Sequence, residues 1–171
     1  MSSWRKYTFG VLVGLAIAVV APAQAKELPA PIGKAIITLS GVLENTNQGN
    51  LGVVDWDLVQ QLGMHELNTT TAFDKGMQKF RGVLVRDVLK YFGIKASTIR
   101  AIALDDYAID IPVEDFYKYD VLIAFELNGK RLRVRDKGPA WIVYPRDAHK
   151  GLQDKMFDDR WVWQLIRVET K

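Results

Sequence analysis

The second half of the chain is a succession of short apolar segments bounded by turn-favouring residues, and this pattern constrains the fold most. Asn128-Gly129 stands between two such segments and is the dipeptide most typical of a two-residue hairpin turn. Strands joined by tight turns pair antiparallel, so a mostly antiparallel sheet is expected here. The strand candidates are 98–106, 107–112, 121–127, 131–135, 141–144 and 161–169.

The first half of the chain adds helices to these strands. Asp55 precedes an apolar run and is expected to cap a helix that ends before Gly63. Leu84, Val88 and Phe92 recur at helical spacing and predict an amphipathic helix over 84–92. Further elements are expected as strands at 35–43 and 65–73, a loop at 44–52 and a short helix at 113–117. The predicted fold class is α+β, a β-rich mixed-sheet domain with about seven or eight strands and about three helices.

The first 25 residues have the layout of a secretory signal peptide. Arg5 and Lys6 are followed by an apolar run of about 14 residues, shorter than the roughly 20 that a membrane-spanning helix needs. Small residues precede the predicted cleavage site after Ala25. The predicted organisation is a cleaved signal at 1–25 and one domain at 26–171. We expect a periplasmic or secreted protein that keeps no membrane anchor after cleavage.

Composition excludes several classes of site and partner. The chain has no cysteine, which removes thiolate metal sites, iron–sulfur clusters and cysteine nucleophiles. Its only histidines, His65 and His149, lie far apart in sequence, so a histidine-rich metal site is not expected. The formal net charge is +3, and Arg5 and Lys6 of the signal contribute two of the positive charges. No nucleic-acid partner is expected, because such a partner would need a basic patch on the folded domain.

Polar residues after Pro145 could belong to an active site. Asp147 could orient His149, and histidine acts as a base near neutral pH. A hydrolytic triad would also need a serine nucleophile, but the only serines after the signal are Ser40 and Ser97, and neither lies in a G-x-S-x-G motif. The alternative is a turn with charged surface side chains, and the missing nucleophile favours it.

Aromatic residues gather in the C-terminal part of the sequence. If 161–169 is one strand, Trp161 and Trp163 share one of its faces, and Trp141 could lie beside them. Core packing is one explanation for this set. The other is a partly open aromatic cleft, flanked by Arg146 and Arg160, that binds a planar or anionic small molecule.

Two charged patterns have both structural and functional interpretations. Arg131, Arg133 and Arg135 alternate with apolar residues, so they would share one strand face. That face is either a solvated edge or a docking surface for an acidic partner or an anion. Asp105 and Asp106 would point to opposite faces of a strand, which favours a hairpin turn over an acid–base pair.

Four segments resemble, in this order, the molybdopterin-binding oxidoreductase domain of sulfite oxidases and their bacterial relatives. They are FRGVLVRDVLKYFGI (80–94), AIALDDYAIDIPVEDF (101–116), VLIAFELNGKRLRVRDKGPAWIVYPRD (121–147) and RWVWQLIRVE (160–169). The match is nearest to small, stand-alone exported members of that family. The resemblance extends over about residues 35–170. It implies a shortened β-rich domain of the sulfite-oxidase type, built around a pterin cleft.

The sequence departs from that family at functional positions. Catalytic members ligate molybdenum with a cysteine thiolate, and this chain has none. The family's Asp-Gly-Tyr turn is Asp105-Asp106-Tyr107 here. The resemblance also implies cofactor insertion before export by the twin-arginine route, whereas Arg5-Lys6 is not a twin arginine.

The function expected from these observations is non-catalytic. The protein would bind a small molecule or a periplasmic or membrane signalling protein, as in periplasmic sensing, and no cofactor is expected. Candidate cleft residues are Trp141, Tyr144, Arg146, His149, Arg160 and Trp161. The alternative is a true oxidoreductase that holds a molybdopterin cofactor without a cysteine ligand, with Arg146, His149 and Arg160 at the pterin phosphate and rings. A structural subunit that pairs through the 131–135 edge is a third possibility.

Overall fold

A computed structural model describes residues 26–171 of the 171-residue chain, so the predicted signal at 1–25 lies outside the described residues. The strands are β1 (Lys26–Glu27), β2 (Ile37–Ser40), β3 (Asn45–Thr46), β4 (Gly52–Val54), β5 (His65–Thr69), β6 (Gln78–Leu84), β7 (Thr98–Ala103), β8 (Ala108–Pro112), β9 (Leu122–Leu127), β10 (Lys130–Arg131), β11 (Trp141–Val143) and β12 (Leu165–Thr170). The helices are α1 (Trp56–Leu62), α2 (Val85–Tyr91), α3 (Glu114–Lys118) and α4 (Lys155–Asp158). Single 3-10 turns lie at Val134–Asp136 and Lys150–Gln153. No helix within residues 26–171 is long and apolar enough to span a bilayer.

Two five-stranded sheets and a short parallel pair, β1 and β3, form the domain. One has the order β4-β2-β12-β7-β8, in which β2 and β12 run parallel and the other neighbours run antiparallel. In the other, β9 pairs with β6 on one side and with β10 and β11 on the other, and β5 pairs with β6. The predicted α+β class with a mixed, mostly antiparallel sheet is confirmed.

The core consists of apolar side chains from both sheets and from α1, α2 and α3. Val85, Val88 and Leu89 form the buried face of α2, as their helical spacing predicts. Leu39 of β2 and Ile123 of β9 belong to the same buried cluster, although they come from different sheets. One continuous core therefore supports both sheets, and the loops at their ends are free to form binding sites.

Local signals placed several elements correctly. The Asp55 side chain accepts a hydrogen bond from the Leu58 amide at 2.9 Å, so Asp55 is the N-cap of α1. Asn128 and Gly129 both have positive φ, 50° and 75°, as a tight hairpin turn between β9 and β10 requires. The helix predicted over 84–92 is observed as Val85–Tyr91.

The strand predicted over 131–135 is wrong beyond Arg131. The Arg133 carbonyl accepts hydrogen bonds from the amides of Asp136 (2.7 Å) and Gly138 (2.8 Å), so the chain turns instead of extending. The three arginines consequently do not share a strand face. Arg131 lies over the Trp56 ring at 3.9 Å, and Arg133 Nε lies 2.7 Å from the Asp136 carboxylate.

The last strand begins at Leu165 rather than at Trp161, so the prediction that Trp161 and Trp163 share a strand face is also wrong. Gln164 has a positive φ of 51° and its amide donates to the Lys137 carbonyl at 2.9 Å. The turn at Gln164 therefore interrupts the regular strand that the sequence suggested. The segment before β12 instead forms a bent wall beside β11.

The sequence prediction contained no strand at β1, β3, β4 or β6 and no helix at α4. β3 and β4 bracket a turn inside the predicted 44–52 loop, where the buried Asn47 side chain donates to the Val53 carbonyl and accepts from the Val53 amide. Asp154 is the N-cap of α4, and its side chain accepts from the Met156 amide at 2.9 Å. The turn between β3 and β4 and the start of α4 each depend on one polar side chain. Neither has a periodic pattern of apolar residues from which it could be predicted.

Candidate functional site

A partly open cavity of about 240 Å³ lies where three distant segments meet. The segments are the turn between β7 and β8, the loop between β5 and β6, and the stretch from α4 to β12. Its walls combine aromatic rings, small apolar side chains and carboxylates. The lining residues are Phe73, Ala103, Asp105, Tyr107, Asp158, Asp159, Trp161, Val162 and Trp163.

Backbone contacts hold the β7–β8 turn in place at one side of the cavity. The Tyr107 amide donates to the Asp105 carboxylate at 3.2 Å, and Asp106 takes a positive φ of 65°, which aspartate tolerates better than most residues. The Tyr107 hydroxyl donates to the Asp159 carbonyl at 2.9 Å. This bond ties the turn to the α4–β12 segment across the cavity.

Aromatic rings form the opposite side. The Phe73 ring lies 5.0 Å from the Trp163 ring and 6.4 Å from the Trp161 ring, both in edge-to-face geometry. The Thr71 hydroxyl accepts from the amides of Phe73 and Asp74, which fixes the loop that carries Phe73. Trp161 is 3% exposed, and its buried indole N–H has no hydrogen-bond partner in the described part of the chain.

The cavity carries an excess of one negative charge. Asp158 lies 3.4 Å from Arg146, and Asp159 lies 3.0 Å from Lys155. Asp105 forms no ion pair within residues 26–171. Burial, followed by the nearby Asp159 carboxylate, raises the pKa of Tyr107, so its hydroxyl stays protonated and neutral.

The structure does not bring the six predicted cleft residues around one cavity. Trp161 lines the cavity described above, whereas His149 lines a separate depression of about 480 Å³. Trp141 and Tyr144 are fully buried in the core. Their assignment to a cofactor cleft stays a prediction, and the geometry places only Trp161 on the aromatic cavity.

Tyr144 and Arg160 belong to a buried network of polar side chains. The Tyr144 hydroxyl donates to Asp115 Oδ2 at 2.9 Å, and Arg160 donates to the same oxygen. Burial, with the Asp115 carboxylate next, strongly raises the pKa of Tyr144 and keeps it protonated. Asp115 therefore accepts hydrogen bonds from both side chains, a role that the sequence did not indicate.

Asp147 does not orient His149. It accepts from the Thr70 amide at 2.6 Å and from the Thr70 hydroxyl at 2.7 Å, and these bonds lower its pKa. His149 instead packs against the Tyr119 ring at 5.0 Å. The acid–base interpretation of these residues has no geometric support, and the surface-turn alternative describes them better.

His65 and His149 line the same depression, although 83 residues of sequence separate them. Glu66, Arg86 and Asp120 lie on the same wall. Within residues 26–171 no group of three or more histidine or carboxylate side chains could hold a metal ion. The topology brings the two histidines together because the β11–α4 loop runs past the start of β5.

The cavity residues Phe73, Asp105, Tyr107, Asp158 and Asp159 were not predicted as a site. Sequence patterns indicated a turn at Asp105, which is correct for its backbone, and gave no role to Asp158 at the end of α4 or to Asp159 after it. Their three segments lie far apart in the chain, so only the tertiary fold brings them together. A single aromatic residue within a turn-rich segment, as at Phe73, is the one local signal in the sequence that could have indicated the site.

Comparison with models of protein families identifies a family. The family model described as Oxidoreductase molybdopterin binding domain matches residues 59–148. The match includes Trp141, Tyr144 and Arg146, but ends before His149 and Arg160. A search of curated proteins found no match to the chain.

The residues present do not fit a molybdenum–pterin cofactor. The chain has no cysteine, and molybdenum favours a soft sulfur ligand. The aromatic cavity has carboxylates and no basic side chain among its described lining residues, so it would repel a phosphate. Arg146 and Arg160, the candidate phosphate ligands, are each paired with an aspartate.

The matched region nevertheless covers more than half of the chain and most of its fold. It runs from α1 to the loop after β11, and includes β9, which pairs with three strands of its sheet. The mixed α+β architecture agrees with a shortened sulfite-oxidase-type domain. The chain belongs to the oxidoreductase molybdopterin-binding domain family.

Proposed function

We propose that this protein is an exported, non-catalytic member of its family that binds a small molecule or a partner protein. The observation that carries the proposal is the wall of the aromatic cavity, which combines rings with carboxylates. Such a wall suits a small ligand held by apolar contact and a few polar groups. It does not suit the anionic pterin phosphate that the family is built to hold.

The chemistry of the available side chains supports a binding role. Redox catalysis on molybdenum would need a ligand that this cysteine-free chain lacks. The polar groups nearest to a catalytic arrangement are committed elsewhere, since Asp147 binds Thr70 and Asp115 binds Arg160. A catalytic base needs a free proton-accepting atom within reach of a substrate, and these carboxylates are already occupied.

Export is part of the proposal and rests on the sequence of residues 1–25. The positive start, the apolar run and the small residues before Ala25 favour a Sec-type signal. Sec export moves an unfolded chain, which does not suit a cofactor loaded in the cytoplasm. An exported binding domain without a cofactor would serve as the sensory component of a membrane signalling system.

The family match favours a second candidate, a true oxidoreductase that holds a molybdopterin cofactor without a cysteine ligand. In that case Arg146, His149 and Arg160 would be the first residues to consider for the pterin. Arg146 and Arg160 would first have to leave Asp158 and Asp115, and both pairs are largely shielded from solvent. Breaking such pairs costs several kcal/mol, about 3–5 for a buried pair.

Cofactor content decides between the two candidates. The full precursor is expressed with its own signal in a molybdenum-replete bacterium and purified from the periplasm. Molybdenum is measured by mass spectrometry and pterin by oxidative fluorescence, with a cysteine-containing molybdoenzyme from the same host as a loading control. We expect a loaded control and an empty protein. Near-stoichiometric molybdenum and pterin would contradict the proposed function and establish the oxidoreductase.

A further inference from the structure

We propose that the aromatic cavity binds a small organic cation that carries an ammonium group. The inference rests on the proposed binding function and names the ligand class of that site. Its basis is the juxtaposition of aromatic rings with one uncompensated carboxylate, that of Asp105.

The rings supply the first requirement for cation binding. Phe73, Tyr107, Trp161 and Trp163 all contribute to the wall. The face of an aromatic ring is electron-rich and attracts ammonium groups, and several rings around one space form the cage by which quaternary ammonium ligands are recognised. Phe73 and Tyr107 are also partly exposed, so a ligand can reach the rings from solvent.

The charge supplies the second requirement. Asp158 and Asp159 each have a basic partner, Arg146 and Lys155, which leaves one negative charge at Asp105. The other basic side chain nearby, Lys137, lies over the Trp163 ring at 5.9 Å and is paired with Asp74. A monovalent cation is therefore the species that balances the charge of the site.

Size and polarity narrow the ligand further. A volume of about 240 Å³ is below the roughly 300–1,000 Å³ of drug-sized sites, so the ligand is a small molecule such as a choline-like or amino-alcohol cation. The buried indole N–H of Trp161 has no acceptor within residues 26–171. An oxygen on the ligand would give this donor a partner after a small shift of the ring, since unpaired buried donors are unfavourable.

The test compares choline with a neutral molecule of the same shape. The exported, processed protein is titrated with choline and with 3,3-dimethylbutan-1-ol, and binding is followed by calorimetry and tryptophan fluorescence. Trp161 and Trp163 line the cavity, so their emission should change on binding. We expect choline to bind about tenfold more tightly than the alcohol. Equal affinities, or no binding of choline, would contradict the inference.

Two variants of neighbouring aspartates test the site itself. Asp105→Asn removes the uncompensated charge but keeps an oxygen to accept from the Tyr107 amide. We expect it to weaken choline binding about fivefold, as for a partly exposed ion pair. Asp106→Asn is the matched control, because Asp106 does not line the cavity and asparagine tolerates its positive φ. Equal effects of the two substitutions would overturn the assignment.

A third variant separates ring chemistry from simple apolar contact. Phe73→Leu keeps an apolar side chain on an exposed loop but removes the ring, and we expect about threefold weaker choline binding with unchanged binding of the alcohol. Equal losses for both ligands would contradict a cation–π contribution. Cofactor is assayed on the same preparation. Bound cofactor would contradict the proposed function, whereas a cofactor-free protein that does not bind choline would contradict only the cation assignment.

Discussion

Asp115 connects three parts of the molecule through a single carboxylate. It lies on α3 and receives the Tyr144 hydroxyl from the end of β11 and the Arg160 guanidinium from the segment after α4. The side chains of Asp115 and Arg160 are 12% and 13% exposed. A charge that is this well shielded must be paired, because water no longer compensates it.

Replacing Asp115 by asparagine should therefore destabilise the fold. Asparagine can still accept the Tyr144 hydroxyl, so the change isolates the loss of charge opposite Arg160. We expect the free energy of unfolding to fall by about 3 kcal/mol, as for other broken buried pairs. Urea unfolding at neutral pH measures the change.

The surface pair of Asp120 and Arg86 provides the control. The Asp120 side chain is 72% exposed, and its carboxylate lies 2.5 Å from Arg86 Nη1. Asp120→Asn should lower the free energy of unfolding by less than about 1 kcal/mol, because exposed ion pairs contribute little to stability. If both substitutions destabilised the protein to the same extent, the Asp115 network would not have the structural role assigned to it.

Sequence reasoning at the residue scale identified important side chains but not their partners. Tyr144 and Arg160 were predicted as cleft residues, and the structure gives both a buried partner. Residue type and strand position are visible locally, whereas the partner depends on how α3 meets the α4–β12 segment. Asp115 itself was not among the predicted site residues.

At the scale of elements, the clearest determinant is the start of α1. Asp55 accepts from the Leu58 amide of the helix and from the amides of Ile32 (2.9 Å) and Gly33 (2.8 Å) in the preceding segment. One buried carboxylate thus caps the helix and fastens the N-terminal stretch to it. Without this carboxylate three backbone donors would lose their acceptor.

Asp55→Ala should lower the free energy of unfolding by about 2 kcal/mol at neutral pH, the upper end for loss of an N-cap. Burial acts to raise the pKa of Asp55, but the three backbone donors outweigh it and the net pKa is lowered. A lowered pKa in the folded protein stabilises it above the unfolded-state pKa of about 3.9, and this stabilisation is lost as the pH falls through the folded-state value.

The difference in the free energy of unfolding between wild type and Asp55→Ala should consequently shrink as the pH falls from 6 to 3. Urea unfolding at each pH measures it. Asp57→Ala serves as the control, because Asp57 is exposed in the first turn and accepts no comparable bond. Its effect should stay below about 1 kcal/mol. If the loss of unfolding free energy in Asp55→Ala stayed constant over this pH range, the role of the ionised carboxylate would be contradicted.

Element types were predictable where the period of apolar residues is clear, as in α2, or where turn chemistry is specific, as at Asn128-Gly129. Prediction failed at 131–135 and at 161–164. There the alternation of residues resembles a strand, but carbonyl groups of Arg133 and Lys137 accept bonds that divert the chain. Alternation of polar and apolar residues indicates which way the side chains of a strand would point. It does not show which backbone groups would pair with that strand.

At the scale of the whole molecule, the proposed function requires that residues 1–25 be removed on export. We expect the periplasmic protein to begin at Lys26, because small residues occupy the positions before the cleavage site. Ala25→Leu places a bulky residue directly before that site and should leave the precursor uncut. Intact mass and N-terminal sequencing of the exported protein measure both outcomes.

Gln24→Leu is the matched control for this substitution, since the intervening position of the cleavage site does not need a small residue. It should be processed like the wild type. Cleavage of Ala25→Leu at the same position, or a wild-type protein that retains residues 1–25, would contradict the predicted signal.

The sequence by itself determined the α+β class, the capped helix and the hairpin, because each depends on residues close together in the chain. It also determined the family, which depends on the order of several such segments. Only the tertiary structure decided which side chains share a site. It gathered Phe73, Asp105 and Trp161 around one cavity from three separate segments. It also made a glycine necessary at Gly82, where a Cβ would lie 1.9 Å from the Ile123 carbonyl oxygen of the neighbouring strand. Contacts of this kind join residues far apart in sequence, so no local pattern encodes them.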